Sequence, residues 1–194
     1  MGNKGENTRN RIRETALGLF SERGYLAVSM QDICAACGLS KGGLYRHYES
    51  KEQLFIDLLY EMQSEEMERE KNRILENESA ISILKALLEH TKAELMSDIP
   101  TINFALYEFC MDKRGAGTEF IRQQFERGRE CLAQVIDYGR NHGEFQTSEP
   151  EEAAETILIL LEGLKLIHEA APFKTGTMEA VFSQIWRIVG AKEL

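Results

Sequence analysis

An all-α fold is what this sequence predicts, and three observations carry the expectation. Apolar residues recur three and four positions apart over long stretches, no strand pattern or internal repeat emerges, and only 3 Pro stand against 15 Gly, with no Gly or Pro period. With 194 residues, 43% of them hydrophobic and 28% charged, the chain is long enough to bury a real core as one large domain or two small ones. A disordered or fibrous protein is excluded.

The elements follow in order. From Thr8 to Arg23, Ile12, Ala16, Leu19 and Phe20 keep the spacing of one helix face, and Gly24 ends it. Ser29 with Asp32 three residues on reads as a helix start, and Ile33, Ala36 and Cys37 supply an inner face before Gly38. A tight turn through Leu39 leads to Ser40, a second cap, and to a short helix with Leu44 and Tyr48 turned inward. Ser50 with Gln53 repeats the capping pattern and opens a long helix striped by Leu54, Phe55, Leu58, Leu59 and Met62, whose far end, Glu65 to Arg73, is a solvated charged face running towards Asn77.

Beyond residue 78 the helices lengthen. Ile81, Leu84, Leu88 and Leu95 mark one; a shorter apolar helix runs from about Ile102 to Met111; Gly115 and Gly117 are expected to break the chain. Phe120 to Asn141 follows, ended by Gly143, and then Glu151 to Ala171 and Met178 to Val189. These last two carry apolar residues on more than one face: Ile157, Leu158, Leu160, Leu161, Leu164, Val181, Phe182, Ile185, Trp186 and Ile188. Two copies are therefore expected to pair as a four-helix bundle.

Composition narrows the compartment and the partners. The N-terminal stretch to Arg13 is polar and basic, without an apolar signal region, and the longest apolar run, Ile157 to Leu161, falls far short of the roughly 18 residues of a membrane span. A cytoplasmic protein with no membrane contact is expected, its four Cys reduced. The net charge of −9 is unevenly placed: residues 1–51 hold eight Lys or Arg against five Asp or Glu, and the remainder 15 against 27. A basic N-terminal end on an acidic body can approach phosphates.

Two short helices joined by a tight turn, Ser29 to Cys37 and Ser40 to Tyr48, make a helix-turn-helix. Its second helix would enter a major groove end-on, so the residues near its start should be small or polar. Lys41, Gly42, Gly43, Tyr45, Arg46 and His47 meet that demand. Two consecutive glycines each cost a helix about 1 kcal/mol, and close backbone approach to DNA gives them a reason. Tyr45 faces away from Leu44 and Tyr48, which makes it the aromatic to reach DNA. Lys51 places a cation at a helix start, an unfavourable position that a bound phosphate would relieve.

Residues 9–56 resemble the DNA-binding domain of the TetR family of bacterial transcriptional repressors. The run Ile12 to Gly24, followed by D-I-C-A-A-C-G-L-S-K-G-G-L-Y-R-H-Y-E-S-K-E-Q-L-F at Asp32 to Phe55, carries the resemblance over about a quarter of the chain. The resemblance implies an all-helical homodimer with nine or so helices per subunit. Residues 1–50 would form the three-helix DNA-binding domain and residues 51–194 an effector-binding and dimerisation domain. It also implies phosphate contact by Ser29, Lys41, Tyr48 and Lys51, and base or groove contact by Gly42, Gly43, Tyr45, Arg46 and His47, with Ser40 at the helix start between them. Binding of a small molecule to the C-terminal domain would release operator DNA.

Other readings stay open. Cys34 and Cys37 form a C-x-x-C, but inside a two-turn helix with no second pair and no nearby His pair they read as packing residues; a thiol or metal sensor is the alternative, and no metal is expected. A helical DNA-binding module without an effector is another. His90 and His168 fit a helix surface or core, or else polar anchors in an effector cavity for a hydrophobic or amphipathic molecule, beside Phe104, Tyr107, Phe109, Cys110, Met111, Phe125 and Tyr138. No G-x-S-x-G, H-E-x-x-H, P-loop or dinucleotide motif occurs, so neither an enzyme nor a cofactor is expected.

Overall fold

The structure is a computed structural model that describes residues 3–97, 101–112, 114–172 and 175–191. Among these residues it holds nine α-helices and no strand: α1 (Asn3–Ala27), α2 (Met30–Cys37), α3 (Lys41–Tyr45), α4 (Lys51–Leu75), α5 (Ala80–Leu95), α6 (Asn103–Asp112), α7 (Arg114–Asn141), α8 (Pro150–Ala170) and α9 (Thr175–Val189). The all-α expectation holds.

Local chemistry explains most of the boundaries. At Gly24 the backbone turns to φ 80°, ψ 169°, so α1 is interrupted where the sequence places its stop. Gly38, Gly143 and Gly190 take positive φ at helix ends, and Asn77 does so after α4. Gly115 and Gly117, by contrast, do not break the chain, because both lie inside α7. A Cβ at Gly117 would stand 2.7 Å from the Cys110 Cα, so this glycine serves the close approach of α7 to α6 rather than a turn. The inner face of α2 is also corrected: Ile33, Cys34 and Cys37 are buried and Ala36 is exposed. On α4, Leu54, Phe55, Leu58 and Leu59 are buried as expected, while Met62 is exposed.

Two compact units result, formed by the described residues of Met1–Ser64 with Pro100–Ile121, and of Glu65–Ile99 with Arg122–Leu194. In the first, α6 joins the helix-turn-helix core. The rings of Phe20, Tyr25, Phe55 and Phe109 meet at centroid distances of 4.8 to 5.9 Å, edge-on or tilted except for the stacked pair Phe20–Tyr25, and Ile12, Ile33, Leu44 and Leu54 surround them, each fully buried. The second unit packs α5, α8, α9 and most of α7 around Ile83, Leu84, Ile136, Ala154, Ile157, Ile185 and Val189. Its loop after α7 is tied in by Glu144, whose carboxylate accepts from the Ala80 and Ile81 amides at 3.2 and 3.0 Å and so satisfies the start of α5.

Candidate nucleic-acid interface

The helix-turn-helix is assembled by caps. The Ser29 hydroxyl accepts from the Asp32 amide at 3.2 Å, and the Asp32 carboxylate accepts from the Ser29 amide at 2.8 Å, a reciprocal box that fixes the entry to α2. Hydrogen bonds from the Ser29 hydroxyl and amide hold the Asp32 carboxyl below its usual value. Gly38 closes α2 in the left-handed conformation, and the Leu39 amide returns to the Cys34 carbonyl at 3.0 Å. Ser40 then caps α3 by accepting from the Gly43 amide at 3.1 Å. Helix α3 is shorter than the expected Ser40–Tyr48, ending at Tyr45.

Burial sorts the candidate contacts. Leu44 is the inward residue of α3, while Lys41, Gly42, Tyr45 and Arg46 are exposed and His47 is half-buried. Lys41 and Tyr45, one turn apart, lie with the ammonium 5.8 Å from the ring centre, and Arg46 leans back towards the Gly42 carbonyl at 3.4 Å. A Cβ on Gly42 would meet nothing within 4 Å, whereas one on Gly43 would press the Ser40 hydroxyl at 3.2 Å. Ser29 and Ser40 are exposed, with their hydroxyls already in use as caps.

Two residues expected at phosphate have partners inside the fold. Tyr48 is fully buried, and its hydroxyl donates to Asp57 at 2.7 Å and accepts from Arg9 at 3.1 Å. The Lys51 ammonium donates to the Tyr25 carbonyl at 2.6 Å and stands 4.1 Å from the centre of the Tyr25 ring. Burial, with the charges of Glu52 and Asp112, pushes the Tyr25 hydroxyl up to about 12, so that ring stays neutral. Arg9 and Asp57 have no counterpart among the sequence-derived candidates. They are remote in sequence, and nothing in the spacing of single residues pairs them.

The remaining candidates separate. Cys34 and Cys37 are buried, and no group of three or more His, Cys, Asp or Glu among the described residues could hold a metal. Phe109 belongs to the aromatic core of the first unit, whereas Phe104, Tyr107 and Met111 line an open groove of about 480 Å³ with Leu26, Glu108 and Asp112. Cys110 is half-buried, and burial raises its thiol pKa. In the second unit His90 is exposed, and Phe125, Tyr138 and His168 are half-buried, Tyr138 lying 4.3 Å from the His142 ring. The nine residues expected at one effector cavity are thus divided between the two units.

Residues 12–58, which take in α2, α3 and the adjoining parts of α1 and α4, match the family model described as bacterial regulatory proteins of the tetR family. These N-terminal helices belong to the TetR family. Among curated relatives, the transcriptional regulator UidR of Escherichia coli strain K12 is 38% identical over 69 residues, which cover 36% of this chain and 35% of UidR. The Bacillus subtilis regulator YerO is 42% identical over 48 residues, 25% of this chain and 17% of YerO, so the matched segments span about a third of one relative and a sixth of the other. Solved structures extend the likeness in fold beyond the TetR domain. The reduced form of Escherichia coli NemR superimposes with a TM-score of 0.82 at 16% identity, covering 96% of this chain and all of NemR. A transcriptional regulator from Saccharomonospora viridis, solved in complex with choline, gives 0.71 at 19% identity over 95% of this chain and 96% of its own.

Proposed function

We propose that this protein is a DNA-binding transcriptional regulator, a repressor that holds a palindromic operator as a homodimer and lets go when a small molecule binds its C-terminal half. One observation carries the reading: α3 exposes Lys41 and Gly42 at its capped start and Tyr45 with Arg46 at its end, with its one buried residue, Leu44, locked in the core. A helix in this arrangement offers a cation, a bare backbone and an aromatic to a groove without disturbing its own packing. Lys41 would meet phosphate, and Tyr45, Arg46 and His47 the base edges; Ser29 and Ser40 would approach phosphates from their caps.

Ligand response is the second part of the proposal. Its support is the fold shared with the Saccharomonospora viridis regulator, a protein solved with choline. Phe125, Tyr138 and His168, half-buried in the second unit, are the residues we assign to effector contact there. A ligand releases DNA only through different affinity for the bound and released states, and α4, which begins just after the helix-turn-helix, is the element through which that difference would act. The location that fits this role is the cytoplasm, and among the described residues no helix is long and apolar enough to cross a membrane.

The deciding experiment selects duplexes from a random-sequence library with the full chain and measures Tyr45→Ala and Arg46→Ala against selected and scrambled DNA. A loss of about 1 to 3 kcal/mol on the selected duplex, with less on scrambled DNA, is expected. Unchanged binding would place the DNA surface elsewhere. Small molecules co-purifying with the protein, identified by mass spectrometry and added back, should lower affinity for the selected duplex; DNA binding indifferent to all of them would favour an effector-free module.

A further inference from the structure

Behind α3 lies a polar joint that neither the caps nor the expected DNA contacts account for. Tyr48, just past the end of α3, has no exposed surface, yet its hydroxyl is bonded on both sides, donating to Asp57 Oδ2 at 2.7 Å and accepting from Arg9 Nε at 3.1 Å. Arg9 also closes on the Asp57 carboxylate, with one terminal nitrogen 3.1 Å from Oδ1 and 3.0 Å from Oδ2, and its guanidinium carbon lies 5.1 Å from the centre of the Tyr48 ring. Arg13 stands 3.6 Å from the same carboxylate and pairs with Glu61. Side chains from α1, α4 and the exit of α3 therefore meet at one carboxylate.

The joint has a consequence for α3. A five-residue helix does not repay its own nucleation, and α3 buries only Leu44, so its direction is set by what holds its two ends. Ser40 secures the start, and at the exit Gln53 accepts from the Glu49 amide at 2.8 Å, a tie to α4 alone. Packing does not call for the Tyr48 hydroxyl. Phenylalanine would bury the same ring without having to satisfy a buried polar group. What the hydroxyl adds is direction, because charge-assisted bonds to a forked guanidinium and a carboxylate fix angles that apolar contact leaves loose.

We propose that Tyr48, Asp57 and Arg9 are positioning residues that set the angle at which α3 is presented to DNA, without themselves contacting a base or a phosphate. The inference rests on the DNA-binding reading above and deepens it. A misdirected recognition helix loses base contacts first, since these need placement within a fraction of an ångström, while phosphate attraction tolerates more.

The test uses the full chain with Tyr48→Phe and, separately, Asp57→Asn, both nearly isosteric. Affinities for a duplex selected from a random-sequence library by the wild-type protein, and for a scrambled duplex of equal length, are measured over a salt series beside thermal unfolding. Expected is a loss of about tenfold on the selected duplex and less than about twofold on the scrambled one. The slope of log affinity against log salt should stay unchanged, with unfolding still cooperative. Should Tyr48→Phe fail to fold, Asp57→Asn carries the same prediction. Equal losses on both duplexes would make the joint a phosphate contact and overturn the proposal. So would an unchanged ratio of the two affinities in both variants, which is what a purely structural joint gives. A wild-type chain that prefers no duplex would remove the DNA-binding reading itself, a failure seen before any variant is compared, and this inference with it.

Discussion

At the scale of single residues, two glycines make opposite predictions. Gly42 lies inside α3 with open space where a Cβ would be, so Gly42→Ala should stabilise the free protein by about 1 kcal/mol through helix propensity alone. If close approach of DNA is the reason for this glycine, the same variant binds DNA more weakly while its urea midpoint rises. Gly24 holds φ 80°, and a Cβ there would run into the Glu108 carboxylate and stand 2.9 Å from Phe104, so Gly24→Ala should cost about 2 kcal/mol. Denaturant titration of both variants checks the pair. Asp57 adds a pH dependence. Partial burial alone would raise its pKa, but hydrogen bonds from Tyr48 and Arg9 and the charges of Arg9 and Arg13 outweigh that and hold it below the ordinary carboxylate value. A depressed folded-state pKa gives stability that is fully present above about pH 4 and is lost as pH falls through the folded value. Thermal melts of the wild type should therefore drop more steeply than those of Asp57→Asn below about pH 4, and parallel curves would show that the joint holds no such linkage.

At the scale of elements, the caps of α2 and α3 were legible because Ser29, Asp32, Ser40 and Gly38 act on neighbours within four residues. The length of α3 was not. Tyr48 shares a face with Leu44 and suggests one continuous helix; α3 ends at Tyr45, yet Arg46 keeps helical angles and the Tyr48 amide still donates to the Leu44 carbonyl at 3.1 Å before the turn that Glu49, Ser50 and Gln53 secure. Gly115 and Gly117 misled in the other direction. Glycine lowers helix propensity wherever it stands, and at Gly117 the close approach to the Cys110 backbone outweighs that preference. Gly117→Ala should destabilise the protein by about 1 to 3 kcal/mol, because the atom that a Cβ would meet is backbone of Cys110 and cannot rotate away. A variant as stable as the wild type would show that the two helices can separate without loss.

For the whole molecule, the expected pairing of α8 and α9 makes the clearest demand. In α8, Ile159, Leu166 and Ile167 are 57%, 48% and 59% exposed, more apolar surface than one helix of a monomer ordinarily leaves in water. Sedimentation at micromolar concentration should give a dimer, and Ile159→Asp should shift it towards monomer while helicity stays constant. A wild-type monomer would contradict the pairing, as would an Ile159→Asp dimer of unchanged affinity.

What the sequence determined by itself is everything that acts over one or two helical turns: the all-α class, the helix-turn-helix, its caps, and the inward and outward faces of α3. Tertiary structure alone decided which partners distant residues acquire. Periodicity reports the side of a helix a residue occupies but not what faces it, so Phe109 entered the core of the first unit rather than a cavity. For the same reason Tyr48, which the resemblance sets on phosphate, is bonded to Asp57 and Arg9, and Lys51, which a local reading turns towards phosphate, donates to the Tyr25 carbonyl. A hydroxyl or an ammonium takes the nearest acceptor the fold supplies, and that acceptor is chosen only when separate helices come together.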